Sequence, residues 1–181
     1  MRELSLHLLD LLENARKAGA TEVQVEITED SAQDRLEMAV TDNGCGLPEG
    51  ALERAFDPYF TTRTTRRVGL GLPLLQAAAE RTGGSVQVKS VPGCTVVRAS
   101  FGLSHIDRAP MGDVVGTLVG FMLSEPMPRL VYRHRVDDSE FEFDSSVAAG
   151  EVGGCLTTTD VSRWVREYLT RSVEVLRRGM S

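Results

Sequence analysis

Three groups of residues in the first hundred positions have types and spacings suited to chemistry on a nucleotide. Asp10, Asn14 and Lys17 are separated by four and then three positions. On a helix that spacing places them on one face. The Asn14 carbonyl can ligate a Mg²⁺ ion between phosphates without adding charge. Mg²⁺ keeps several waters and takes few protein ligands, so one neutral side chain suffices. The Asp10 carboxylate, one turn earlier, can accept a proton from an attacking water or hydroxyl. The Lys17 ammonium can reach a phosphate as a point charge. Taken alone, the three equally suit the solvent side of an amphipathic helix.

The second group is Asp42-Asn43-Gly44-Cys45-Gly46. A carboxylate at Asp42 can accept a hydrogen bond from the exocyclic amine of adenine, which selects A over G. Gly44 and Gly46 let the backbone approach the ring closely. By itself the stretch is also an ordinary Asn-Gly turn. The third group, Gly69-Leu70-Gly71-Leu72, opens a helical pattern. Backbone N–H groups there can face phosphate oxygens, or simply form a helix-entry turn. The basic run Thr61 to Arg67 stands just before those glycines, at the end of Phe56-Asp57-Pro58-Tyr59-Phe60. It can close over a triphosphate as a lid, or remain a solvated loop. In this order and spacing the parts together describe an ATP pocket.

Positioning these groups requires a particular set of elements. Leu4, Leu8, Leu11, Leu12 and Ala15 recur at helical spacing up to a stop at Gly19. Val23, Val25 and Ile27, then Leu36, Met38 and Val40, alternate as two strands of a hairpin around Asp30 to Gln33. Leu52 to Phe56 reads as a short helix, and Leu70 to Arg81 as a longer one with Pro73 in its first turn. Val86 and Val88, then Val96, Val97, Ala99 and Phe101, form two strands about Pro92-Gly93. The expected fold is an α/β two-layer sandwich: a mixed, mostly antiparallel sheet with helices on one face.

The pattern changes near Ser104, which divides the chain into an ATP-binding domain over 1–103 and a C-terminal α/β extension over 104–181. The extension reads as helix, hairpin, helix. The first helix covers Asp113 to Leu123. The hairpin joins Leu130 to Arg135 with Phe141 to Phe143 across Asp137-Asp138. A Gly-containing connection spans 145 to 158, and an amphipathic helix from Val161 to Leu176 is capped by Asp160. The extension is expected to dock on the first part rather than fold alone. Trp164, Tyr168 and Leu169 can cover the sheet or form a homodimer contact.

Composition narrows the function. The 181 residues carry a net charge of -6 and a pI of about 5.1, against the basic balance of a general nucleic-acid binder. No apolar run is long enough to span a bilayer, and Met1 to His7 lacks a signal-peptide pattern. Cys45, Cys94 and Cys155 form no CxxC pair and suit a reducing cytoplasm.

These motifs resemble the ATP-binding domain shared by histidine kinases, DNA gyrase, the MutL repair proteins and the related heat-shock chaperones. Phe56 to Arg63 resembles the FxPFFTTK run of histidine kinases of the nitrogen-regulation type. Gly69 to Phe101 resembles their GLGL helix, HGG and GxGT turn, the last as Gly93-Cys94-Thr95. The resemblance covers residues 4 to 101 and implies the Bergerat-type ATP-binding fold. It implies Mg²⁺ at Asn14, adenine at Asp42 and phosphates near Lys17, Gly69 and Gly71, with Gly44, Gly46, Arg63, Leu70, Leu72 and Thr95 completing the expected ATP-binding set.

There are departures from the family pattern. Hydrolytic members carry Glu where Asp10 stands, and kinases often carry Asn. Arg63 replaces a common Lys, and Pro92-Gly93-Cys94 has one glycine where two are usual. No dimerising phosphoacceptor helix pair is expected before motifs that begin at residue 4. Ser104-His105-Ile106-Asp107-Arg108-Ala109-Pro110-Met111 resembles the phosphoacceptor box, displaced to follow the ATP domain. It makes His105 a candidate acceptor, with Asp107 as the nearby carboxylate. The same run also reads as a domain junction with Pro110 starting a helix. His7 and His134 read as structural, His134 on an outer strand.

The expectation is a cytoplasmic ATP-binding protein acting as a detached protein kinase, weak ATPase or ATP-dependent switch. Positioning and Mg²⁺ would supply most of any phosphoryl-transfer catalysis. The alternatives are an anti-sigma-type serine kinase and a non-catalytic module whose lid is ordered by ATP. The resemblance implies a protein partner, either a signalling protein or a redox enzyme such as an iron hydrogenase; the charge balance and the lack of a long apolar run leave neither nucleic acid nor membrane as an expected partner.

Overall fold

The computed structural model describes residues 3–48, 50–52, 54–56, 71–124, 127–151 and 159–178. Leu4, Leu8, Leu11, Leu12 and Ala15 form the buried side of α1 (Leu4–Lys17). Gly19 ends that helix with φ of 71°, the left-handed conformation glycine adopts without steric cost. The alternating segments form β1 (Glu22–Asp30) and β2 (Arg35–Asp42), paired antiparallel. Next come α2 (Gly71–Glu80), β3 (Ser85–Val91) and β4 (Cys94–Gly102). The chain then forms α3 (Val114–Met122), β5 (Arg129–Val136), β6 (Ser139–Asp144), α4 (Ser145–Glu151) and α5 (Thr159–Arg178).

The six strands make one sheet in the order β3-β4-β2-β1-β5-β6. All pairs are antiparallel except β1 with β5. Strand periodicity sends Val23, Val25, Ile27, Leu36, Met38, Val97, Ala99, Leu130 and Tyr132 to one buried face. The helices cover that face, as the expected fold class requires. Polar residues such as Glu26, Glu37, Arg98 and Arg133 occupy the other face. Each fully buried Leu or Ile contributes roughly 1.5–3 kcal/mol relative to exposure.

The segment after Ser104 extends this sheet. A parallel β1–β5 pair needs a crossover, and α3 supplies it by packing on α1. Asp113 caps α3 through its carboxylate, which accepts from the Gly116 N–H at 2.7 Å. The crossover also fixes the start of α1: Leu4 and Ser5 N–H groups donate to the carbonyls of Pro110 and Met111 at 3.0 and 2.9 Å.

Four local expectations differ from the structure. The described residues 50–52 and 54–56 form turns where a helix over Leu52 to Phe56 is expected. Gly50 enters them at φ of 72°, and the Arg54 and Ala55 N–H groups bond back only three residues. The first half of the 145–158 connection is the helix α4, whose Ser145 and Ala148 are buried. The last helix begins at Thr159, so Asp160 lies inside its first turn. His134 is 1% exposed on an interior strand, because β6 takes the edge.

His134 joins a buried relay. Its Nδ1 meets the Tyr132 hydroxyl at 2.8 Å and its Nε2 meets Glu29 Oε1 at 2.9 Å. Arg177 of α5 reaches the same Glu29 oxygen at 3.3 Å. Burial pushes the Glu29 carboxyl up, but the His134 hydrogen bond and the Arg177 charge outweigh it and hold the pKa below its ordinary value. The relay ties β1, β5 and α5 together.

His7 is the opposite case. It is 2% exposed, and neither ring nitrogen has a hydrogen-bond partner among the described residues. Burial lowers its pKa from the ordinary 6.5. The native state therefore keeps it neutral while the unfolded chain protonates below that pH. Stability present above pH 6.5 is expected to fall on acidification, by up to about 1.4 kcal/mol per pH unit for one proton. In urea unfolding between pH 7 and 5, His7→Leu should flatten that dependence. An unchanged slope would contradict this account.

Candidate nucleotide-binding site

The site begins where β2 ends. Asp42 continues the inward series Leu36, Met38 and Val40, so its carboxylate lies on the helix-covered face at 9% exposure. Oδ1 accepts from the Gly44 N–H at 2.9 Å. Burial raises the Asp42 pKa, and the Gly44 N–H partly opposes the rise. A carboxylate keeps acceptor capacity beyond that one bond, as recognition of an exocyclic amine requires.

The neighbouring residues hold this turn. Asn43 Oδ1 accepts from the Thr21 and Glu22 N–H groups at 2.8 and 3.0 Å, and its amide donates to Thr21 Oγ1. A Cβ on Gly44 would lie 2.7 Å from Ala18 Cβ, against the end of α1. Gly46 has φ of 78°, and a Cβ there would lie 2.8 Å from the Val91 carbonyl oxygen. The glycines are thus required by chain packing as well as by approach to a ligand. Thr95 stands opposite Asp42 in the β2–β4 register. Its hydroxyl is 3.0 Å from Ser90 Oγ, which accepts from the Leu47 N–H at 2.8 Å. No sequence motif singles out Ser90. Its only signal was a polar residue at an inward position after Val86 and Val88.

The other end of the site lies two turns back along α1. A Cβ on Gly71 would be 3.4 Å from Asp10 Oδ2, so the first residue of α2 abuts that carboxylate. Asp10 is half-buried, while Asn14 and Lys17 are exposed on the same helix face. Lys17 Nζ stands 3.9 Å from Glu13 Oε2, an i,i+4 pair, and Arg16 holds the same oxygen at 2.7 Å. Leu72 packs against the core. From Asp10 to Ala18 the helix rises about 12 Å, so Asn14 lies between the Asp42 turn and the start of α2. Arg63, Gly69 and Leu70, with the rest of the lid run, lie outside the described residues.

His105 lies elsewhere. Thr95 of β4 opposes Asp42, whereas Gly102 opposes Arg35. Seven residues of strand therefore separate the two ends, roughly 23 Å. His105 follows Gly102, is exposed, and accepts from the Asp107 N–H at 3.1 Å on Nδ1. The backbone of Asp107 makes that contact.

The fold is an α/β sandwich in which a polar helix face runs from a buried carboxylate in a glycine turn to the start of a second helix. The sequence profile of the Histidine kinase-, DNA gyrase B-, and HSP90-like ATPase family matches residues 2–104, and the chain belongs to this family. The sensor histidine kinase ZraS of Salmonella typhimurium is 39% identical over 87 residues, covering 48% of this chain and 18% of that protein. The signal transduction histidine-protein kinase AtoS of Escherichia coli K12 is 34% identical over 87 residues, covering 48% and 14%. The chain thus matches under a fifth of the length of these relatives.

Two solved structures share the fold. The N-terminal domain of a DNA repair protein has a TM-score of 0.60 at 12% identity, covering 80% of this chain and 53% of that one. The Aquifex aeolicus MutL ATPase domain complexed with ADP has a TM-score of 0.52 at 14% identity, covering 80% and 63%. Both extend over more of this chain than residues 2–104. Among the described residues, no helix is long and apolar enough to cross a membrane.

Proposed function

We propose that this protein binds ATP with Mg²⁺ along the polar face of α1 and acts as a detached protein kinase on a partner protein. The observation that carries the reading is that one helix face links both ends of the site: Gly44 packs on Ala18 at one end and Gly71 on Asp10 at the other. Asp42 would hold the adenine amine. Asn14 would hold the metal, which when bound neutralises phosphate charge. The N–H groups at the start of α2 would face phosphate oxygens. Asp10, beside that start, would orient or accept the proton of an attacking hydroxyl. The placement of His105 at the far end of the strands favours an acceptor on another molecule.

The test is incubation with γ-labelled ATP and Mg²⁺, with and without a candidate partner, for wild type, Asn14→Ala and His105→Ala. Label on the partner should vanish in Asn14→Ala and persist in His105→Ala. Acid-labile label would indicate phosphohistidine, and acid-stable label the serine-kinase alternative. Nucleotide binding without label on any partner tried would favour a switch. Absence of nucleotide binding would defeat the reading.

A cheaper test uses two thiols beside the site. Cys45 and Cys94 are exposed, and each follows a glycine of the pair joined by the Gly93 N–H to Gly44 carbonyl bond at 2.9 Å. Saturating ATP with Mg²⁺ is expected to slow their reaction with an aromatic disulfide several-fold, read by peptide mapping. Equal rates with and without nucleotide would place the ligand elsewhere.

A further inference from the structure

Among the described residues, one buried side chain has polar atoms that the fold leaves unbonded: His7 of α1, at Nδ1 and at Nε2. An imidazole taken out of water with both nitrogens idle costs stability that an apolar side chain would not. Buried polar groups in folded proteins are as a rule bonded, so the exception asks for a reason.

Its place on α1 supplies one. His7, Asp10, Asn14 and Lys17 follow at intervals of three, four and three positions, which makes one stripe along the helix. The stripe passes from solvent into the protein towards its start. Lys17 and Asn14 are exposed, Asp10 is half-buried and His7 is buried. Residues three apart on a helix have Cβ atoms about 5–6 Å apart, so Asp10 has His7 as its inner neighbour. On its other side Asp10 abuts the start of α2, where a Cβ on Gly71 would lie 3.4 Å from Oδ2. Burial lowers the His7 pKa, and the Asp10 charge opposes the fall, as expected of two groups this close.

A neutral imidazole carries one N–H donor and one acceptor nitrogen. The donor suits one oxygen of the Asp10 carboxylate and leaves the other for an attacking hydroxyl. Phosphate charge at the start of α2 repels that carboxylate, and a neutral donor behind it offsets the repulsion without adding charge. Hydrogen bonds of this kind tighten when substrate is bound.

We infer that His7 is a positioning residue for Asp10, its imidazole N–H bonding the carboxylate when nucleotide occupies the site, an inference that rests on the proposed nucleotide reading.

The test uses the full chain with ¹⁵N-labelled histidine, the His7 signals being assigned by their loss in His7→Gln. A non-hydrolysable ATP analogue is added with Mg²⁺, and calorimetry records whether it binds. At saturation one His7 N–H proton should move downfield into the hydrogen-bonded range. The shift should be missing from Asp10→Ala with the analogue bound. In the labelled-phosphate transfer to a partner, His7→Leu should slow the rate at saturating ATP about 10- to 100-fold, the loss of one hydrogen bond to a charged group, with ATP affinity little changed. His7→Gln keeps an amide donor and should recover part of that rate. A purely structural His7 would alter melting or ATP affinity instead. Three results would overturn the inference: unchanged His7 signals with the analogue bound, the same shift in Asp10→Ala, or a His7→Leu rate equal to wild type. Absence of analogue binding by wild type would defeat the nucleotide reading itself, and this inference with it.

Discussion

Asp42→Asn is expected to weaken ATP binding about 10- to 100-fold while leaving the protein as stable as wild type or more so. A hydrogen bond to a charged group contributes roughly 1.5–3 kcal/mol, and 1.4 kcal/mol is a factor of ten. Asn keeps an oxygen for the Gly44 N–H, which Asp42 now receives at 2.9 Å. It replaces the other oxygen with an amide donor, which would oppose the donor amine of adenine. The same amide can donate to the guanine carbonyl, so the preference for ATP over GTP should shrink. Stability moves the other way because burial raises the Asp42 pKa. A carboxyl whose folded pKa lies above its unfolded value stabilises the native state at low pH. That contribution is lost as pH rises through the folded pKa. At neutral pH the buried charge is a cost that Asn does not carry. Melting at pH 7 and pH 4, with calorimetric ATP titration, checks both halves. Unchanged ATP affinity would remove Asp42 from the site.

Gly84→Ala is expected to be severely destabilising, by about 4 kcal/mol or more, an exceptional loss of the kind that unrelieved overpacking can cause. A Cβ at Gly84 would lie 1.8 Å from the Ser100 carbonyl oxygen and 2.5 Å from its carbon. Both are backbone atoms of β4, so no rotamer change can relieve the contact. The next residue, Ser85, is already in register with Ser100 and donates its N–H to the Ser100 hydroxyl at 3.1 Å. Relief would therefore peel β3 from the sheet and displace Ser90, which steadies Thr95 and Leu47. Gly83→Ala is the matched control. Gly83 has φ of 75° but open space around its Cβ position. It should show only the left-handed penalty of about 1–2 kcal/mol. Denaturant midpoints for the pair test this ordering, and equal losses would refute the steric account.

The candidate nucleotide site was legible because its parts are local. Asp42-Asn43-Gly44 is a turn whose bonds close within a few residues, and the face bearing Asp10, Asn14 and Lys17 follows from helical spacing alone. Strands β1 to β4 were visible for the same reason, since alternation needs no knowledge of the partner strand. Ser90 was not legible. Its role depends on the meeting of a strand with the loop at Leu47, 43 positions earlier. The position of His105 was likewise hidden. Its surrounding residues resemble a phosphoacceptor box, but the β2–β4 register carries it to the end of the strands away from Asp42.

The C-terminal part shows the same division. Hydrophobic periodicity determined α3, the β5–β6 hairpin and α5 from residues that are neighbours in sequence. Only the tertiary structure decided that the hairpin would extend the first sheet, with Val23 beside Leu130 and Ile27 beside His134. Parallel pairing across more than a hundred residues leaves no short-range signature, because its hydrogen bonds form only after a distant helix has crossed over. The same pairing brought Glu29 to buried His134, where Arg177 of α5 reaches it from the surface. Sequence specified which faces were apolar and where nucleotide-binding groups could stand. Long-range register decided which of those groups share a site, because it depends on burying both layers at once.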